Sequence, residues 1–398
     1  MSETFHEKAE RLKQLPPYLF VEIDRAKRKL QAEGKDVIDL GVGDPDLPTP
    51  AHIIERLKQA VDDPANHRYS VTEGLRELRE AIARWYDRRF GVSLDPDTEV
   101  LPLLGSKEGI AHAPLAWTNP GDVVLVPDPC YPPYRSGAIL AGADVVSLPL
   151  EEAAGFFPDL GAISQKAARR AKLLFLNYPN NPTAAVAGAE QFQEAIDLAK
   201  EYGIAIAHDA AYSEICFDGY RPMSVLQLPE AKSVGVEFHS LSKTYQMTGW
   251  RVGWVCGNAA LIASLSQLKT NLDSGMFQPL QWAGIAALDG DQGPLQQAVA
   301  AYQRRRDLLI DGLAKAGWQI PKPAASFYIW ARVPTQESSM AFAARVLEQS
   351  RVVLTPGVGF GPSGEGYVRL SLTIPTERIQ EAVDRLARIL EQPETGSQ

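Results

Sequence analysis

The stretch HSLSKTYQMTGWRVGW, His239 to Trp254, sets a lysine between two small hydroxyl residues: Lys243, flanked by Ser242 and Thr244. Such a lysine could grip a nucleotide phosphate, bond covalently to a carbonyl, or point into solvent. A phosphate loop, GxxxxGK[ST], needs glycine directly before the lysine and again five positions earlier. Ser242 and Glu237 stand there instead, so the backbone cannot wrap a phosphate chain closely. A lone lysine is most often solvated, but FHSLSKTYQMTGWRVGW is too apolar and aromatic for an ordinary exposed loop. Lost solvation lowers a lysine's pKa and supplies the neutral amine that Schiff-base chemistry needs.

Other residues match the parts of one carbonyl partner, pyridoxal phosphate. Gly105-Ser106-Lys107 lies where VLPLL turns into the helix-like SKEGIAHAPLAW, and free N–H groups with the helix dipole attract an anion there. Ser240, Ser242 and Arg251 could close on the same phosphate, with a turn bringing Arg251 back. Asp209 follows the apolar run GIAIAH. A carboxylate at a strand's C-terminal end is where α/β sheets bind ligands, and it would keep a pyridine nitrogen protonated. Tyr212, and Asn181 in NYPNNPT, offer donors to the ring's phenolic oxygen; Tyr131, in PDPCYPPY, offers a stacking face. Singly, these are a helix cap, a turn and a core aromatic. The set points to the cofactor.

The elements that must position these residues are short apolar runs alternating with amphipathic segments. DVVLVP, DVVSLPL, KLLFLNYP, GIAIAHD and SVGVEFHS read as strands, and AEQFQEAIDLAKEYG as a helix. This alternation predicts an α/β fold with a mostly parallel sheet covered by helices. After about residue 290 the pattern changes: a long helix, then FYIWARV, VVLTPG, YVRLSL and a final helix predict a smaller α+β domain. The N-terminal helix from PPYLFVEID onward is expected to pack with it. The expected division is 1–48, arm and part of the small domain; 49–290, large cofactor-binding domain; 291–398, small C-terminal domain, whose tail PETGSQ reads as disordered.

The 398 residues are 45% hydrophobic and carry a net charge of −9, which argues against a nucleic-acid partner. Three scattered cysteines and a charged N-terminal stretch without an apolar core point to the cytoplasm. No run of about 18 apolar residues is present to span a membrane, and the six histidines lack metal-ligand spacing.

With NPT, D-x-x-Y, S-x-S-K and GWRVG in this order, the chain resembles the class I/II aminotransferases, pyridoxal-phosphate enzymes of fold type I, from LGVGDPDLPTP to YVRLSL. The resemblance implies a large domain with a seven-stranded sheet and a ping-pong amino transfer between an amino acid and a 2-oxo acid. Lys243 would hold the cofactor covalently and shuttle the proton, Asp209 would pair with the ring nitrogen, and Tyr212 and Asn181 would bind the ring oxygen. Ser106, Ser240, Ser242 and Arg251 would hold the phosphate. Arg369 in YVRLSL would take the substrate carboxylate bidentately, with Gly43 allowing close backbone approach. Tyr69 matches a tyrosine that reaches the neighbouring subunit's phosphate, implying a homodimer. LGSKEGIAHAPLAW, LKTNLDSGMFQPLQ and PGVGFGPSGEGYVRLSLT look like the LL-diaminopimelate aminotransferase group, in which the residues matching Lys107 and Tyr18 lie near the substrate. Cationic Lys107 suits a dicarboxylic partner such as 2-oxoglutarate. Three positions depart from the pattern: Ala184 for glycine after NPT, Thr72 for an acidic residue, and Gln246 for asparagine. Alanine or aspartate transamination, and a C–S β-lyase, remain alternatives.

Overall fold

Among the residues described by the computed structural model, 8–15 and 19–391, the β-branched and aliphatic runs form twelve strands. These are β1 Ile38–Asp39, β2 Val100–Leu103, β3 Val123–Asp128, β4 Asp144–Pro149, β5 Ala171–Asn177, β6 Ala205–Asp209, β7 Gly235–Ser240, β8 Gly253–Gly257, β9 Tyr328–Arg332, β10 Val352–Val353, β11 Thr355–Pro356 and β12 Tyr367–Ser371. Seven form one sheet in the order β2-β8-β7-β6-β5-β3-β4. The strands from β7 to β4 run parallel, and β8 runs antiparallel to β7 and β2.

Both faces of this sheet are covered, which is why its central strands read as continuous apolar runs. One face packs Val124, Phe175, Ala207 and Phe238 against Ile110 and Ala113 of helix Ser106–Trp117 and Ile262 and Leu265 of helix Ala259–Thr270. The other packs Leu125, Leu174 and Ile206 with residues of helices Arg76–Phe90, Ala189–Tyr202 and Gln278–Asp289. Parallel strands finish on one edge. The ends of β2, β5, β6 and β7 therefore bring Ser106, Asn181, Asp209 and Ser240 to the same side.

A second core lies under the antiparallel sheet β11-β12-β9 and the two-stranded sheet β1-β10. Ile38 pairs in parallel with Val352, joining the two ends of the chain, and Lys27 Nζ donates to Asp39 Oδ2 at 2.9 Å, tying helix Leu19–Ala32 to β1. The run VVLTPG divides: β10 pairs with β1, whereas β11 pairs with β12. This core also takes in Ala211, Tyr212, Ile215 and Phe217 from the middle of the chain, and Cys216 bridges to Ala325.

Beneath the binding edge, Glu237 of β7 is fully buried. Its oxygens lie 2.8 Å from His208 Nδ1 and 2.9 Å from His239 Nε2, and they accept from the Tyr86 hydroxyl and the Val225 amide. Burial pushes the Glu237 carboxyl up, but the two histidines outweigh it and hold the group well below the usual range. A folded-state pKa below the unfolded one stabilises above the unfolded value, about 4.3, and that stability is lost as pH falls further. Glu237→Ala is expected to cost about 3–5 kcal/mol in urea unfolding at pH 7. The variant should also lose less stability than the parent as the pH is taken below about 4.

Candidate active site

One cavity of about 380 Å³ opens at the C-terminal edge of the large sheet. Ser106, Lys107, Tyr131, Asn181 and Asp209 line it, as do Tyr212, Ser240, Ser242, Lys243 and Arg251. Ten of the residues singled out in the sequence thus meet in one place, although they are spread from residue 106 to 251.

One end is cationic and rich in hydroxyls. Gly105 has φ 77° and precedes helix Ser106–Trp117, whose first-turn amides have no intrahelical acceptor. Arg251 has φ 58°, the turn that returns it towards Lys243. Its Nη1 donates to Thr248 O at 3.0 Å and reaches Ser242 Oγ at 3.5 Å. A β-carbon at Gly105 would run into the Arg251 guanidinium, so only glycine lets that cation lie over the turn. Ser240 caps the short helix Leu241–Thr244, accepting from the Ser242 amide at 3.1 Å. Behind the turn, Glu108 accepts from the Leu104 amide and from buried Lys269, which also reaches Asp273.

Asp209, at the end of β6, is buried. Its carboxylate accepts from the Tyr134 hydroxyl at 2.8 Å and from the Ala211 amide at 3.2 Å. Burial raises its pKa against those two hydrogen bonds. Lys243 donates from Nζ to Gly43 O at 2.8 Å and lies 5.7 Å from the Phe327 ring centroid. Burial is the first cause lowering its pKa, and the Arg369 and Arg251 cations add to it. A lowered value brings the neutral amine closer to physiological pH.

Arg369, from β12, is 3% exposed. Its Nη1 donates to Asn181 Oδ1 at 2.8 Å and its Nη2 to Gly41 O at 2.7 Å. The guanidinium lies between the rings of Tyr328, 4.0 Å away, and Phe360, 4.6 Å away. Lys243 with Gly43 and Arg369 with Asn181 are thus two contacting pairs, and Tyr328 of β9 lies close to both Gly43 and Arg369. Sequence reasoning missed Tyr134 and Tyr328. Tyr134 had a signal, since it stands three residues after Tyr131 in PDPCYPPY; Tyr328 had none, because FYIWARV reads only as a strand.

Comparison with known proteins places the chain in a family. The family described as Aminotransferase class I and II matches residues 35–386. The chain belongs to the class I and II aminotransferases. This aminotransferase is 53% identical to the LL-diaminopimelate aminotransferase of Moorella thermoacetica over 96% of its own length and 98% of the relative's. The enzyme of the same name from Desulforudis audaxviator is 56% identical, with 95% and 96% covered. Among solved structures, substrate-bound BacF from Bacillus subtilis superposes with a TM-score of 0.93 at 39% identity, covering 96% of this chain and 98% of BacF. A Thermus thermophilus aspartate aminotransferase double mutant gives 0.90 at 30%, covering 96% and 100%.

Gly43, Arg369 and Tyr69 are not among the residues that line this cavity. Tyr69 is 88% exposed, and Tyr18 falls outside the described residues. Two of the departures from the family pattern sit in left-handed backbone: Ala184 at φ 58° and Gln246 at φ 54°. Glycine and asparagine tolerate that region best. Ala184→Gly in this aminotransferase is expected to raise stability by about 0.5–1 kcal/mol, the relief of the left-handed alanine less the extra unfolded-state entropy of glycine. Urea unfolding of the variant against the parent measures it.

Proposed function

We propose that the cavity holds pyridoxal phosphate and that this aminotransferase moves the amino group of LL-diaminopimelate to 2-oxoglutarate in lysine biosynthesis. The observation that carries the site is the convergence of a carboxylate, a buried lysine and an arginine–hydroxyl cluster in one cavity. The family is pyridoxal-phosphate-dependent, and the donors fit that group: cation and hydroxyls for a phosphate at Gly105–Arg251, a carboxylate for a ring nitrogen at Asp209. The substrate assignment rests on the near full-length similarity to enzymes of that name.

When bound, pyridoxal phosphate supplies a cationic ring that takes up the electrons released as the substrate Cα–H bond breaks. Ser106, Ser240, Ser242 and Arg251 would hold the phosphate. Asp209 would pair with the ring nitrogen, and a cation there would offset the burial that raises its pKa. Tyr212 and Asn181 would donate to the ring oxygen, and Tyr131 would offer the ring an aromatic face. Lys243 would hold the cofactor covalently through Nζ; once the substrate's amino group displaces it, its freed amine would take the proton from substrate Cα and return it to the cofactor's carbon. Arg369 grips the α-carboxylate, Gly43 leaves room for it, and Lys107 attracts a distal carboxylate. Tyr18 belongs to the same substrate set by resemblance.

A homodimer is the working unit in this reading. Tyr69 at 88% exposure would reach a partner's phosphate, and Val71, Leu272 and Phe277 stand exposed at 61%, 54% and 45%. Gly275 packs against the backbone of residues 70–72, so these exposed side chains come from adjoining segments. We take the cytoplasm as the compartment, supported by three unpaired cysteines. No described helix is long and apolar enough to cross a membrane.

The test is a panel of single half-reactions. The cofactor-loaded protein is mixed with LL-diaminopimelate, glutamate, alanine or aspartate, and the visible spectrum is followed. LL-diaminopimelate and glutamate should react at least about tenfold faster than alanine or aspartate, the discrimination a well-formed distal pocket achieves. A fast response to alanine or aspartate with none to LL-diaminopimelate would remove the substrate assignment. Pyruvate and ammonia released without a 2-oxo acid would indicate the lyase.

A further inference from the structure

Residues 40–46 run from β1 past Lys243, and two of them, Gly41 and Gly43, are glycines. Glycine leaves a backbone free to take many paths, so the carbonyls of this strap must be fixed from outside. Several contacts do so on the side of β11 and β12. The Leu40 carbonyl accepts from the Ser371 amide at 2.7 Å. The Gly41 carbonyl accepts from Thr355 Oγ1 at 2.9 Å and from Arg369 Nη2 at 2.7 Å. The Val42 carbonyl accepts from Thr373 Oγ1 at 3.0 Å. On the other side, the Gly43 carbonyl takes the Lys243 amine, and beyond the strap Thr49 Oγ1 donates to the Gln246 carbonyl at 2.7 Å. The strap thus crosses from the sheet that carries Arg369 to the chain that carries Lys243.

The far end of the strap is held by a side chain. Asp46 meets both terminal nitrogens of Arg305, from helix Gly293–Lys315, at 2.7 and 2.8 Å. The Asp46 and Arg305 side chains are 19% and 5% exposed. Arg305 is itself held: Nη1 also donates to the Leu372 carbonyl at 3.0 Å, and Nε to Thr376 Oγ1 at 3.4 Å. Leu372 directly follows β12. One planar guanidinium therefore sets the strap against the end of the strand that carries Arg369, and a paired fork fixes direction as well as distance. We propose that Arg305 is a positioning residue for amino transfer: it clamps Asp46 to the end of β12 and so holds the Gly41 carbonyl in the place that orients Arg369 for the substrate carboxylate. Arg305 is not among the residues that line the cavity; it acts through the strap. The proposal rests on the carboxylate role of Arg369 above.

Three variants of the cofactor-loaded protein test the clamp, with glutamate and 2-oxoglutarate as probes. Arg305→Met removes the fork, Asp46→Asn removes its partner's charge with almost no change of shape, and the third carries both. Each single variant should raise KM for both probes about 2- to 30-fold, the range for a residue coupled to a site it does not touch. Both probes are affected because both present an α-carboxylate. The change in kcat should be smaller, since Lys243 stays on its own short helix, Leu241–Thr244. The double variant should lie within about twofold of the worse single one, because both changes break one contact. Unchanged KM in the folded single variants overturns the proposal, as an ion pair that only supports the fold would lower the urea midpoint and leave KM alone. Losses that multiply in the double variant overturn it too. The near-isosteric Asp46→Asn decides the matter if Arg305→Met does not fold. Arg369→Lys, measured alongside, separates the two readings. If its KM is unchanged, the carboxylate role of Arg369 falls and the clamp with it; a raised KM there with unchanged KM in the clamp variants removes only the clamp.

Discussion

Lys243→Ala is expected to lower kcat/KM for amino transfer by at least about 10⁴-fold. Proton transfer by a positioned base contributes about 10²–10⁴-fold on its own, and the same side chain is the one assigned to covalent attachment. Two other lysines among the described residues lie at or behind the site, and both have other roles. Lys107 lines the same space but belongs to the first turn of helix Ser106–Trp117, and buried Lys269 is committed to Glu108 and Asp273. Stopped-flow measurement with saturating amino donor checks the value. A fall of less than about tenfold would assign the proton transfer elsewhere. The loss should be in kcat more than in KM, because Arg369, Asn181 and Gly43 remain to bind the donor.

Arg369→Ala should lower kcat/KM for every amino donor by about 10²–10³-fold. Removing one partner of a buried, hydrogen-bonded charge pair costs about 2–5 kcal/mol, and Arg369 is 3% exposed between Tyr328 and Phe360. The loss should appear chiefly in KM. Arg369→Lys keeps the charge but not the planar fork, so it should recover only part of it. Initial rates over a range of donor concentration separate the two constants. A KM unchanged in both variants would remove Arg369 from carboxylate binding.

The parts legible in the sequence share one physical cause. Parallel strands buried on both faces read as uninterrupted apolar runs, and their C-terminal ends gather on one edge. A polar residue just after such a run, such as Asp209 after GIAIAH or Asn181 after KLLFL, is therefore readable as a site candidate. Lys243 was readable for the opposite reason, as a charge within an apolar stretch. The parts that escaped depend on packing across long separations. Tyr328 sits beside Gly43, Tyr212 and Arg369, yet its strand has no local mark of function. Residues 211–217 enter the second core without any periodicity to signal it. The single run VVLTPG serves two sheets, a division that only the partner strands determine. Ala184 and Gln246 were visible as departures from a family pattern, but their positive φ is what explains why the pattern has glycine and asparagine there.

Chemical trapping tests the Lys243-centred site most directly. The cofactor-loaded protein is reduced with borohydride, digested, and mapped by mass spectrometry. The cofactor's mass should be fixed on the peptide containing Lys243 and absent from those containing Lys107 and Lys269. Label on either of these lysines, or spread over surface lysines with Lys243 unmodified, would contradict the assignment.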